Sequence, residues 1–342
     1  MPPELVIISL RNTHQKQIEN ELALKWALEH LELSDEFKII NQQKIIETSY
    51  STVHRITTSK NNVYYLKQTP EMLYLEPQTI ACLHEQRCRH IPTIIAKNKH
   101  LHCFLMLSCG EETLRNLFKE KIDLEMLKAG ILNYTKIQRT LENKLPQLIR
   151  LGIPDWRLEK FSSLYYQLIQ QEELLISDGL STDEITFLNK AHEICINLCE
   201  SLSNYQIPET INHCDFHENN MVLNQKTGAI SIIDWGETVI SHPFFSLNGC
   251  LWNMTYFYQI KQTDKIYETL QRQCITRWLD LHDETDLIDA LKIANQLNGV
   301  FAALSYKRIY DATMDQSLTV QQEHPGSIAG CLRSFLNHFH LA

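Results

Sequence analysis

No apolar run in this chain approaches the roughly 18 residues needed to cross a bilayer. The opening, Met1-Pro2-Pro3-Glu4-Leu5, lacks the basic stretch that begins a secretory signal, so retention in the cytoplasm is expected. Positive charge is in deficit: 32 Lys and Arg stand against 41 Asp and Glu, for a formal charge of −9. A protein that binds nucleic acid nonspecifically needs a basic surface, so that class is disfavoured, whereas a cationic small molecule suits an acidic chain. Internal repeats and low-complexity stretches are lacking as well. Cysteine is present, ten in all, but scattered and without secretory context. Reduced thiols are therefore expected rather than a disulfide framework. What remains is a chain of 342 residues, 44% hydrophobic and 21% charged. That is enough for a globular protein of two lobes.

The chemistry is concentrated in His213-Cys214-Asp215-Phe216-His217-Glu218-Asn219-Asn220, followed by Ile233-Asp234-Trp235-Gly236. Asp215 lies two residues after His213, and Asn220 lies five after Asp215. Kinase catalytic loops use this spacing for a catalytic Asp and a metal-binding Asn, with a second metal-binding Asp beyond the next hairpin. Met221–Leu223 and 229–233 read as two strands, joined by the turn-forming Asn224-Gln225-Lys226-Thr227-Gly228. Antiparallel pairing puts the start of the first strand beside the end of the second. Asn220 and Asp234 then meet at the open end of the hairpin. Their oxygens are hard ligands suited to Mg²⁺, whose shell is completed by water and substrate phosphates.

These residues resemble the aminoglycoside phosphotransferase superfamily, which also holds choline and other small-molecule kinases. The resemblance runs from about residue 37 to the catalytic loop and, more loosely, through the C-terminal part. It implies an α+β, bilobal, protein-kinase-like fold. A small N-lobe with an antiparallel sheet (residues 1–107) would precede a larger, mainly helical C-lobe (residues 108–342). It implies transfer of the γ-phosphate of ATP or GTP to a hydroxyl. Asp215 falls on the family's base, Asn220 and Asp234 on its metal pair, and His213 on the histidine that buttresses the loop. Two departures from protein kinases favour a small acceptor. Cys214 stands where those enzymes carry Arg, and only Glu237 through His242 separate Gly236 from Pro243. That leaves no room for the long segment that docks a peptide. A protein-directed kinase and a non-catalytic nucleotide-binding protein of the same fold stay open as alternatives.

Upstream, Asn12 to about Leu33 reads as an amphipathic helix, with Ile18, Leu22 and Trp26 in register and Asn12 or Thr13 as cap. Phe37 to Ile46, Thr52 to Thr57 and Val63 to Lys67 read as strands. The turn between the first two should cover the nucleotide phosphates, yet it contains no glycine. Ser49, Ser51 and Thr52 are the substitute donors. Lys67 should reach the phosphates, held by Glu76 from the next helix, with Glu71 and Glu85 as competitors. Leu101–Leu107 reads as the last N-lobe strand, and Ser108-Cys109-Gly110 as the hinge whose backbone meets the adenine. Helices are expected over Leu124–Leu141, Arg157–Ile176, Thr182–Leu202, Leu247–Thr263, Lys265–Leu281, Glu284–Arg308 and Ser327–His338.

Some residues invite sharper readings than they earn. Trp235, and Trp252 with Tyr256 four residues on, read as core. His192, Cys195 and Cys199 share one helical face but lack a fourth zinc ligand. Glu237, Asp280, Asp283 and Glu284 could line an acceptor pocket for amines or simply face solvent. His217 could equally approach the phosphates or face solvent.

Overall fold

The computed structural model describes residues 3–32, 38–316 and 318–340, with the side chains of the first helix described from residue 16. Leu33 and Phe37, expected to end the first helix and begin the first strand, lie outside the described residues.

Helix α1 (Pro3–Glu32) leads into β1 (Ile39–Glu47), β2 (Thr52–Thr58) and β3 (Val63–Gln68). Helix α2 (Glu76–Glu85), β4 (Thr93–Asn98) and β5 (Cys103–Leu107) follow. The five strands form one antiparallel sheet in the order β1-β2-β3-β5-β4. β4 went unrecognised in the sequence, because Thr93–Asn98 exposes alternate residues and carries few large apolar ones. The register of α1 also differs from expectation. Ala23, Ala27 and Leu31 face the sheet, whereas Ile18 and Leu22 are exposed and Trp26 is half-buried. Small alanines let the helix approach Ile56, Leu66 and Leu105 closely. Asn12 and Thr13 fall inside α1 instead of capping it.

The strands give way to a larger helical part. β6 (Glu112–Thr113), α3 (Leu114–Leu117), α4 (Leu124–Leu141) and α5 (Leu145–Arg150) open it. In α4 the buried Leu127, Ile131, Tyr134, Gln138 and Leu141 recur at alternating four- and three-residue steps. That is one stripe of a helix of 3.6 residues per turn. Asp123 caps it by accepting from the N–H groups of Glu125 and Met126, both at 3.0 Å. Pro146, expected to break structure, starts α5, where its missing N–H costs nothing.

The long helices expected over Arg157–Ile176 and Thr182–Leu202 are each two. They are α6 (Leu158–Ile169) with α7 (Glu172–Ser177), and α8 (Thr182–Lys190) with α9 (His192–Ser203). The strands β7 (Thr210–His213), β8 (Met221–Leu223), β9 (Ile230–Ile232) and β10 (Thr238–Ser241) follow. The chain ends in α10 (Phe244–Tyr258), α11 (Lys265–Ile275), α12 (Glu284–Thr313), α13 (Val320–Glu323) and α14 (Ser327–Asn337). One continuous core runs under this half, centred on Phe161, Phe245 and Phe301, whose rings stack. The architecture is the expected one: bilobal and protein-kinase-like, with a small antiparallel sheet beside a larger helical lobe.

The halves meet where a side chain would not fit. A Cβ on Gly110 would come within 2.3 Å of the Leu223 carbonyl oxygen, so β8 can pass against the 108–110 hinge only because that residue is glycine. All ten cysteines are unpaired. Among the described residues no helix is long and apolar enough to cross a membrane.

Candidate active site

The catalytic loop leaves β7 at His213 and returns through the hairpin β8–β9, in which Met221 pairs with Ile232. Gly228 takes φ +70° in the connecting turn, a conformation open to glycine. The Ile233 N–H donates to the Asn220 carbonyl at 3.0 Å, closing the open end of the hairpin. Asp234 follows in the left-handed region (φ 65°, ψ 56°). A non-glycine residue held there carries backbone strain of order 1 kcal/mol or more, a cost typical of functional positions. Here it swings the carboxylate across to Lys67 on β3.

His213 is fully buried and fixes the loop from below. Its Nδ1 accepts the Asp215 N–H at 3.2 Å, so the proton resides on Nε2, which donates to the Ile233 carbonyl at 2.8 Å. One imidazole thus ties the base of the loop to the residue before Asp234. Burial lowers its pKa and keeps it neutral. Tyr134 accepts the His213 N–H at 2.9 Å and stacks on Phe216 at 3.8 Å. Trp235 is core, as expected, with its indole donating to the Ile232 carbonyl at 3.0 Å.

Asp215 projects from this platform with half of its side chain exposed. The Asn220 amide donates to its Oδ2 at 2.8 Å, and His217 Nε2 lies 2.9 Å from its Oδ1. His217 Nδ1 accepts the Asn219 N–H at 3.1 Å, which puts the ring proton on Nε2, facing Asp215. Burial works to lower the His217 pKa, but the hydrogen bond and charge of Asp215 outweigh it and hold it above the ordinary histidine value. His217 therefore faces the Asp215 carboxylate, not solvent.

Lys67 reaches this centre from β3. Its ammonium is 2.7 Å from Glu76 Oε2 and also pairs with Asp234 Oδ1. Glu76 is the partner; Glu71 and Glu85 lie elsewhere, Glu85 accepting from Gln147. The second Glu76 oxygen accepts the Trp235 N–H at 3.1 Å, so one buried glutamate holds both Lys67 and the backbone beside Asp234. Burial disfavours the Lys67 charge, yet the two carboxylates raise its pKa above normal. Burial likewise opposes ionisation of Asp234, and Lys67 reverses this and lowers its pKa.

The donor set fits a divalent cation. Asn220 spends its amide N–H₂ on Asp215 and keeps its carbonyl oxygen as an acceptor. Asp234 keeps Oδ2 outside the Lys67 pair, and 44% of its side chain is exposed. Two hard oxygens, with water and phosphate for the rest, suit Mg²⁺ rather than a cage made wholly of protein. Among the described residues no cluster of three or more His, Cys, Asp or Glu could hold a metal alone.

The remaining candidates are placed differently. Ser108 donates its hydroxyl to the Gly110 carbonyl at 2.7 Å and so shapes the hinge turn. Ser51 closes the β1–β2 turn, its carbonyl accepting the Thr48 N–H at 2.8 Å. Ser49 is turned onto Glu323, a C-lobe residue with no motif to announce it. Glu237 stands beside the centre, bonded by the Ser305 hydroxyl at 2.9 Å. Burial, then Asp215 and Asp234, push its pKa up to about 7. Asp280 pairs with Arg139, Asp283 caps α12 and Glu284 pairs with Arg272. Trp252 and Tyr256 stack at 4.8 Å but are 49% and 59% exposed, which corrects the expectation of core. Cys195 and Cys199 are buried, and His192 is bonded to the Ser162 carbonyl. Burial pushes the Cys109 thiol up to about 11, away from reactivity.

Glu218, inside the catalytic loop, is fully buried and had no sequence signal. Arg115 on α3 donates to it at 2.6 Å, and the Tyr258 hydroxyl at 3.2 Å. The loop is thus pinned from its outer side.

Compared with known proteins, residues 135–281 match the model of the phosphotransferase enzyme family. No curated protein matches the sequence. The fold is similar to that of the choline kinase LicA from Streptococcus pneumoniae (12% identity, 95% of this chain and 99% of that one, TM-score 0.57). It is also similar to a Plasmodium vivax ethanolamine kinase (13% identity, 87% and 81%, TM-score 0.55). A third likeness is to the aminoglycoside phosphotransferase APH(2")-IIIa, solved with GDP and kanamycin (13% identity, 90% and 95%, TM-score 0.55). The fold bears out the kinase-like architecture, and the match over residues 135–281 bears out the resemblance to a phosphotransferase family.

Proposed function

We propose that the chain is a Mg²⁺-dependent small-molecule kinase that transfers the γ-phosphate of ATP or GTP to a hydroxyl of a small acceptor, cationic ones included. One observation carries this reading: Lys67 pairs with Glu76 and Asp234, Asn220 bonds Asp215, and His213 joins the two sets by bonding both the Asp215 N–H and the Ile233 carbonyl beside Asp234. Lys67 supplies a fixed positive charge at the donor phosphates. Glu76 keeps that ammonium aimed, and Asn220 with the free oxygen of Asp234 would hold the metal. When bound, Mg²⁺ neutralises charge on the β- and γ-phosphates. Asp215 accepts the acceptor hydroxyl's proton or orients that hydroxyl, and Asn220 and His217 fix its rotamer. Most of the acceleration in such a site comes from alignment and charge neutralisation.

A small acceptor is supported by the segment after Gly236. It turns directly into β10 and then α10 from Phe244, with no platform for a peptide. A cationic acceptor is supported by Asp215, Asp234 and Glu237 around one space and by the charge of −9. The same charge speaks against a nucleic-acid partner. Ten unpaired cysteines suit a reducing, cytoplasmic setting. We take residues 1–107 and 108–342 as the two lobes, with the nucleotide between them.

The metal assignment is tested by Asp234→Ala. Mg²⁺-dependent release or transfer of γ-phosphate should fall at least ~100-fold, while nucleotide binding in EDTA changes by less than about threefold. A normal Mg²⁺-dependent rate in the variant would sink the assignment.

A further inference from the structure

The β1–β2 turn, Thr48 to Ser51, carries a contact that the kinase motifs do not account for. Ser49 is 1% exposed, and its N–H points at a carboxylate, 2.9 Å from both oxygens of Glu323. The Ser49 hydroxyl donates to the same group. Below the turn, the Lys16 ammonium of α1 donates to the carbonyls of Thr48 and Ser49 at 2.8 and 3.4 Å. Burial lowers the Lys16 pKa, and Glu323 is the strongest influence raising it, so the ammonium lies within the field of that carboxylate. A backbone N–H and a hydroxyl on two oxygens, with an ammonium bonded to the same turn, is how proteins hold an oxyanion.

The carboxylate comes from a firm mount 274 residues away in sequence. The Val320 N–H donates to Thr313 at 3.2 Å, and Gln321 donates to Ser177 at 3.2 Å, fastening α13 to α12 and to the end of α7. Beside the contact, the Tyr50 ring is 6.4 Å from that of His324. Tyr50 also lies within the field of Glu237, Asp215 and Asp234, which, after burial, raise its pKa. The tip of the turn is thus drawn down onto the C-lobe next to the catalytic loop. A merely structural tie between lobes needs one hydrogen bond of any kind. This one fills every donor that Ser49 has with a negative charge.

We propose that the turn is an oxyanion site that Glu323 fills in cis, and that the phosphate chain of the donor nucleotide takes Ser49 by displacing this carboxylate. The inference rests on the kinase reading above and adds to it a residue of the C-lobe that competes with the donor. It also accounts for the missing glycine. A turn held by a hydroxyl, an N–H and a partner carboxylate does not need the close backbone approach that glycine allows. Nucleotide then binds only the fraction of molecules in which the clasp is open, and its apparent affinity is reduced by that fraction.

The test compares the full chain with Glu323→Ala and Glu323→Gln. Two readouts are used: amide exchange of residues 48–52 without nucleotide, and equilibrium binding of MgATP and of adenosine. Exchange should be faster in Glu323→Ala. MgATP should bind roughly tenfold more tightly, with adenosine unchanged and Glu323→Gln in between. Unchanged exchange would show that the clasp does not form in solution and overturn the proposal. Faster exchange with unaltered or weaker MgATP binding would also overturn it, making Glu323 an anchor. An equal gain for adenosine would overturn it by showing a steric lid rather than an oxyanion site. If no form bound nucleotide, the kinase reading itself would fall, and this inference with it.

Discussion

His242 shows how much one residue can reveal about a core before any assay of function. It is 1% exposed, packed edge-on against Phe244 and Phe245, and its Nδ1 accepts the Phe244 N–H at 3.3 Å. Its Nε2 finds no partner. Burial alone lowers the pKa to about 3. The sign follows directly. Between about pH 6.5 and 3 the unfolded chain binds this proton and the folded chain does not. Stability from this group is therefore complete above pH 6.5 and is lost as the pH falls toward 3, by about 1.4 kcal/mol per unit once well below 6.5. Urea unfolding of wild type and His242→Asn at pH 7.0, 6.0 and 5.0 checks this. The variant, less stable at pH 7, should lose less on acidification than the wild type. Parallel losses would show that His242 is not the group that titrates.

At the scale of elements, the catalytic loop is held by two clamps, and the sequence announced only one. His213 was legible because it sits at a fixed distance from Asp215. Arg115–Glu218 was not, since α3 and the loop are 103 residues apart and neither residue belongs to a motif. The same contrast holds elsewhere. α4 could be read from its periodicity to the residue, and the β8–β9 hairpin from its turn. β4 was lost for want of apolar residues, and the breaks at Gln170 and Ala191 for want of Gly or Pro. Asp215, Asn220 and Asp234 were named from spacing, and Lys67 and Glu76 from their places at a strand end and a helix start; the structure pairs Lys67 with Glu76 and Asp234, and Asn220 with Asp215. Glu323 and the facing of His217 needed three dimensions. The outer clamp predicts its own energetics. Glu218 is fully buried and one of its oxygens has no partner, so Arg115 is its main compensation. Arg115→Ala should cost about 3–5 kcal/mol, because it strands a buried charge. Adding Glu218→Gln should restore at least ~1 kcal/mol of that loss. Equilibrium unfolding of the single and double variants measures both, and no recovery in the double variant would contradict the clamp.

At the scale of the molecule, the two lobes are joined through chemistry as much as through packing. Lys67 from the sheet meets Asp234 from the helical lobe, and Ser49 meets Glu323. Glu237 lies within the field of Asp215 and Asp234, and the chain passes straight from β10 into α10 without a peptide platform. Under the proposed function, phosphate leaves the nucleotide for a small hydroxyl under the direction of Asp215. The most direct measurement follows γ-labelled ATP, then GTP, with Mg²⁺ into a panel of amino alcohols, aminoglycosides and a small-molecule extract, with Asp215→Asn beside the wild type. A labelled small molecule should be made by the wild type and reduced at least ~100-fold in the variant, with nucleotide affinity little changed. Label found only in protein, or equal transfer by Asp215→Asn, would contradict it.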